Sequence, residues 1–244
     1  MARPAISLIF ALILALRPAP TGAESPILRL GGPIFPPYFE IVDGKVVGVM
    51  LDRVKIILAE AGYQTSVGVR PPSRLLQDLL AGEFDICVIT RNAAMDASPR
   101  WMSSAESVGA LTLNLYSHRE PLTLKSREDL RGRAIVVMRG YSYGDLRAWL
   151  DQPQNGVALT EVNDFGAALR LVAMGRVPNA LLYDVNYAAA AAEIGAQVDR
   201  VVVNPFLQVP VFLYLNKQAV ADPQATMRAL VEAYQKLLAQ GRLG

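Results

Sequence analysis

The sequence has 244 residues, is 52% hydrophobic and carries a formal net charge of +2, with one histidine and one cysteine. Without residues 1–23, which hold two arginines and no acid, 22 basic and 22 acidic residues remain, a balance that argues against nucleic acid as a partner. The lone Cys87 builds no disulfide framework, and one His with one Cys offers no metal-ligand cluster, so no cofactor is expected and a hydrophobic core must hold the chain together.

In chain order, Arg3, the apolar run 5–16 and the small residues Thr21-Gly22-Ala23 read as a cleavable secretory signal over residues 1–23. That run is about a dozen residues, short of the roughly 20 that span a bilayer. The remaining chain of about 220 residues is long enough for one large domain or two small lobes. It is expected to be soluble outside the cytoplasm, in the periplasm.

Short β-branched or apolar runs then alternate with amphipathic ones, the pattern of α/β layers. Strands are predicted at 27–30, 65–69, 84–89, 111–117, 134–138, 180–183, 200–203 and 211–215. Asp43-Gly44 between apolar segments predicts a hairpin. Helices are predicted over 52–61, 73–81 and 165–174, stopped by Gly62, Gly82 and Gly175, and over 222–240 with Asp222 as cap and Pro223 at the first helical position. One echo recurs: 79–86 and 171–180 each run from a helix through a glycine stop into a buried strand, about 90 residues apart. Two similar α/β lobes would produce it.

The ordered blocks at 35–52, 71–85, 125–140 and 165–184 resemble family 3 of the bacterial extracellular solute-binding proteins. These are periplasmic receptors that deliver amino acids and related solutes to ABC importers. The resemblance implies an α/β, two-lobed periplasmic binding protein type II fold with hinge strands between the lobes. Lobe 1 would take residues 24–116 and 207–244, and lobe 2 residues 117–206, with hinges near 115–119 and 204–209. It also implies a monomer that binds a small-molecule ligand between the lobes and docks on the membrane permease of an ABC importer.

Phe35-Pro36-Pro37-Tyr38 is similar to the family's aromatic turn before the first helix, which makes Phe35 a wall of the ligand site, held by the proline step, and Tyr38 and Phe39 core. Arg74, in Pro71-Pro72-Ser73-Arg74, would sit near the cleft; the other reading is a solvated arginine on a first helical turn. A carboxylate ligand needs a guanidinium fork. The chain departs here from the family's Thr-x-Thr-x-x-Arg: Arg91 comes early and Arg100 about three residues late, with Arg100 preferred because Trp101-Met102-Ser103 follows it. Ser142, in Arg139-Gly140-Tyr141-Ser142, would add a hydroxyl to an anion site at the start of a helix near Asp145. Asp184 matches the carboxylate that meets a ligand ammonium, and equally caps the helix that follows.

Two other functions compete. Dehydratases of the cyclohexadienyl type share this fold, and Glu40 or Glu106 would be the general acid; with no nucleophile paired to a base, and His118 at a hinge, the expectation is not an enzyme. A sensing module without transport is the other alternative.

Overall fold

The computed structural model describes residues 25–243, so the signal segment expected at 1–23 lies outside the described residues. Among them, no helix is long and apolar enough to cross a membrane. The first lobe opens with β1 (Ile27–Pro33), the hairpin of β2 (Glu40–Val42) and β3 (Lys45–Val47), and helix α1 (Val49–Glu60). It continues through β4 (Gln64–Arg70), α2 (Pro72–Ala81) and β5 (Ile86–Thr90). A short α3 (Ala93–Asp96) and β6 (Trp101–Ser103) lead into β7 (Gly109–His118). The second lobe holds β8 (Ala134–Met138), α4 (Leu146–Leu150), β9 (Ala158–Val162), α5 (Phe165–Ala173), β10 (Asn179–Tyr183) and α6 (Tyr187–Ile194). The long β11 (Val201–Asn216) and the terminal helix α7 (Pro223–Ala239) complete the chain.

The strands run in the order β4-β1-β5-β11-β7-β10-β8-β9, with β6 added to β11 and the β2–β3 hairpin standing apart. In each lobe the first strand is central. β1 lies parallel between β4 and β5, and β8 parallel between β9 and β10. The recurring helix–glycine–strand echo is α2–β5 in one lobe and α5–β10 in the other, in equivalent places of the same topology. The α/β two-lobed architecture expected from the sequence is present.

The local chemistry explains where elements begin and end. Gly82 closes α2 in a left-handed conformation at φ 85°. Asp222 caps α7 by accepting from Ala225 N at 2.9 Å, and Asp164 caps α5 by accepting from Ala167 N at 2.6 Å. The interior strands are mainly apolar, since both faces are covered. Leu30, Ile86, Leu113, Leu115, Val136, Leu181 and Leu213 are completely buried, each contributing roughly 1.5–3 kcal/mol by removal from water.

Two strands join the lobes. β7 and β11 pair antiparallel from Val201↔His118 to Val211↔Gly109, with a bulge between Pro205 and Leu207. The far part of β11, from Val211 to Leu215, pairs with β5, whereas Leu113 to Ser117 of β7 pair with β10. The two strands predicted at 200–203 and 211–215 are thus one, since the prolines that suggest a break are absorbed by the bulge and the sheet edge chemistry around it. Asn204, 2% exposed, ties this crossing: its Nδ2 donates to Leu115 O and Ser117 Oγ, both at 2.8 Å, and its Oδ1 accepts from Leu122 N at 2.6 Å.

Candidate functional site: a cavity between the lobes

After β1 the chain turns tightly. Phe35 N donates to Phe39 O at 2.8 Å, and Tyr38 N and Phe39 N donate back to Phe35 O at 2.8 and 3.0 Å; the Pro36–Pro37 peptide is cis. The turn directs the Phe35 ring across the lobe boundary. Its centroid lies 5.8 Å from Tyr141, 5.7 Å from Tyr183 and 6.4 Å from Phe165, all of the second lobe, and 5.6 Å from Tyr38 of its own. The Phe35 contacts with Tyr141 and Tyr183 are edge-on, the geometry that aromatic quadrupoles favour.

This cluster closes one side of a cavity of about 110 Å³. Tyr38, Leu75, Leu79, Ile89 and Thr90 line it from the first lobe, and Gly140, Tyr141, Ser142 and Tyr183 from the second. α2 contributes its apolar face because Leu75 and Leu79 lie one helical turn apart. The lobes touch at its rim: Thr90 Oγ1 and Ser142 Oγ share a hydrogen bond of 3.0 Å, and Asn186 Nδ2 donates to Pro36 O at 2.7 Å. Gly140, at φ +79°, approaches so closely that a Cβ there would stand 2.7 Å from Ser73 N. Only glycine meets both conditions.

None of the residues lining the cavity carries a formal charge. The surrounding tyrosines report the same environment. Burial pushes the Tyr141 hydroxyl up, and it also raises Tyr143 and Tyr183. Tyr38 is raised by burial first and by the nearby Asp184 carboxylate second.

Of the six residues singled out in the sequence, Phe35 and Ser142 line this cavity, and Arg74, Arg91, Arg100 and Asp184 do not. Arg74 pairs with Asp78 at 2.8 Å on α2, with 64% of its side chain exposed. Arg91 donates to Ser103 Oγ at 2.6 Å and Asp96 at 3.2 Å and lies 4.0 Å over the Phe212 ring, beside a separate groove with Lys125 and Arg127. Arg100 donates to Gln218 at 2.6 Å. Asp184 accepts from the adjacent Val185 N at 2.7 Å and caps neither its own short helical turn, which begins at Asp184, nor α6, so the helix-cap alternative is not met either. Ser142 spends its hydroxyl on Thr90, and α4 begins four residues later, at Leu146. Tyr38, expected in the core, is half-buried and lines the cavity, while Phe39 is buried as expected.

Sequence reasoning passes over Leu75, Leu79, Thr90, Tyr141 and Tyr183. Tyr141 adjoins Ser142 and Tyr183 adjoins Asp184, so the signal was the aromatic neighbour of each polar residue chosen. The general acids of the enzymatic alternative also lie off the cavity lining: Glu40 is in the β2 hairpin strand, and Glu106 accepts from Gln235 at 2.9 Å. His118 Nδ1 sits 2.8 Å from Val172 O. Among the described residues no group of three or more His, Cys, Asp or Glu is placed to hold a metal ion.

No family model matches the chain, and no curated protein does. Solved structures do. An ancestral arginine-binding protein bound to arginine superposes with a TM-score of 0.67 at 17% identity, covering 91% of this chain and 96% of that one. A histidine kinase sensor domain with similarity to periplasmic binding proteins gives 0.68 at 19% identity, over 89% and 92%. An amino acid ABC transporter substrate-binding protein from Streptococcus pneumoniae bound to L-arginine gives 0.63 at 16% identity, over 89% and 91%. The chain has the periplasmic binding protein fold. Within that fold the cavity occupies the junction of two lobes, a common location for small-molecule sites. The fold itself does not name a ligand, since activity resides in the side chains placed on it.

Proposed function

We propose that the chain is a periplasmic receptor of extracellular solute-binding protein family 3, which closes two lobes over a small molecule and presents the closed form to the permease of an ABC importer. The observation that carries this reading is the cavity walled by both lobes, with Thr90–Ser142 and Phe35–Tyr141 crossing from one to the other. A ligand held there would gain contacts to both lobes only when they close, so binding and closure are coupled. The lobes are 24–116 with 207–244, and 117–206, and the receptor works as a monomer exported by its N-terminal signal. The amino acid or related carboxylate expected from the sequence is not carried over, because no cation lines the cavity.

The similarity to a histidine kinase sensor domain favours a second reading, in which the same closure is read by a signalling partner rather than a permease. Either way the chain is a binding protein. A thermal-shift screen of the purified chain against amino acids, small carboxylates, polyamines, sugars and small neutral alcohols tests this. One class should raise the melting temperature with rising concentration, by about 2.7 kcal/mol of added stability at 100-fold over Kd. A flat response to every class would rule the receptor reading out.

A further inference from the structure

We infer that the interlobe cavity takes a small, uncharged, mainly apolar molecule bearing one hydrogen-bonding group, and rejects α-amino acids and carboxylates. This rests on the receptor reading and assigns its ligand class. A carboxylate moved from water into this cavity would meet rings, aliphatic chains and a few neutral hydroxyl and amide groups but no cation in the lining, and a buried charge without a counter-charge costs more than such contacts return. Of the arginines singled out in the sequence, Arg74 is engaged by Asp78, and Arg91 by Asp96, Ser103 and the Phe212 ring; Arg53, whose charge reaches the Tyr38 hydroxyl, lies outside the cavity lining. Burial is the sole cause that raises the Tyr141 hydroxyl, in keeping with an uncharged wall on that side of the cavity.

Polarity and size narrow the class further. Thr90 and Ser142 bring two hydroxyl protons; their mutual bond uses one and the Tyr183 hydroxyl also reaches Thr90, which leaves at most one donor of the pair for a ligand, beside the Tyr141 hydroxyl that no described side-chain bond engages. That pair can serve a single hydroxyl or carbonyl. Asn92 adds only its amide nitrogen, since its Oδ1 accepts from Ala94 N and Met95 N. The volume, about 110 Å³, compares with the roughly 150 Å³ of a dry apolar cavity that admits benzene. One ring or a short branched chain fits. The Phe35 ring meets Tyr141 and Tyr183 edge-on, so these rings spend their faces and edges on one another rather than forming an open cage for an ammonium.

A matched probe set tests the class by calorimetry and thermal shift on the purified chain: phenol and cyclohexanol, benzoate, benzylammonium and L-phenylalanine, with L-arginine added. The two neutral compounds should bind about tenfold or more tightly than the charged ones. Ser142→Ala should weaken phenol about tenfold while leaving toluene unchanged, because toluene has no group for the hydroxyl pair. Benzoate, L-phenylalanine or L-arginine binding as tightly as phenol would overturn the ligand class and leave the receptor intact. Preferential binding of benzylammonium would overturn it in favour of a cation site. No binding by any probe, together with a flat response in the wider screen, would remove both the class and the receptor.

Discussion

Tyr143 decides where the second lobe's contribution to the cavity stands. It is 2% exposed and has φ 49°, and its hydroxyl accepts from Met138 N at 2.8 Å and donates to Leu181 O at 3.1 Å. Those two bonds fasten the loop after β8 to the adjoining strand β10, and Tyr141 and Ser142 ride on that loop. Removing the hydroxyl leaves a buried N–H and a buried carbonyl short of a partner. Tyr143→Phe should therefore cost about 1–3 kcal/mol in urea unfolding and weaken ligand binding through the displaced loop. A change under about 0.5 kcal/mol would mean that water replaces the hydroxyl. The same scale explains why charged residues mislead a reading of the sequence. Arg91 and Arg100 have the chemistry of a carboxylate clamp, yet Arg100's partner, Gln218, is 118 positions away. No spacing rule reveals such a partner, whereas the aromatic turn at Phe35 is local and could be recognised from its prolines.

At the scale of elements, legibility followed burial. The run that becomes β8 is apolar at every position and was predicted at its true limits, 134–138. β9 was missed because it is an edge strand: Ala158, Thr160 and Glu161 are exposed, and its composition reads as a polar connection. β11 reads as two strands because Pro205 and Pro210 interrupt its apolar pattern, though only tertiary pairing with β7 decides that they do not interrupt the ladder. Where β7 and β11 cross between lobes, Asn204 replaces the backbone bonds that the bulge disturbs. Asn204→Ala removes both ends of that amide and orphans Leu122 N, so it should lower stability by about 1–3 kcal/mol, measured by chemical denaturation. It should also change ligand affinity without touching the cavity lining if the proposed closure pivots on the two strands it joins, which connect the lobes. Unaltered affinity would place the pivot elsewhere on these strands.

For the molecule as a whole, the tyrosines in and behind the second lobe's wall of the cavity make folding sensitive to alkali. Tyr141, Tyr143 and Tyr183 have hydroxyls raised above the ordinary value of 10.0 by burial, so the folded chain keeps protons that the unfolded chain releases. Stability is thus fully present below pH 10 and falls as pH rises from 10 toward the folded values, by about 1.4 kcal/mol per pH unit for each such group. Tyr141→Phe isolates one contribution. No hydrogen bond of the Tyr141 hydroxyl occurs among the described side-chain bonds, in contrast to Tyr143, so its loss should leave stability near pH 7 almost unchanged and flatten the alkaline slope by about one group's share. Urea unfolding at pH 8, 10 and 11 reads both quantities. An unchanged slope would mean that the Tyr141 hydroxyl ionises in the folded state as freely as in water, which requires an open cleft. Because Tyr141 and Tyr183 line the cavity between the lobes, a bound ligand that holds the lobes shut should preserve their share of the slope, and opening the lobes should relieve it.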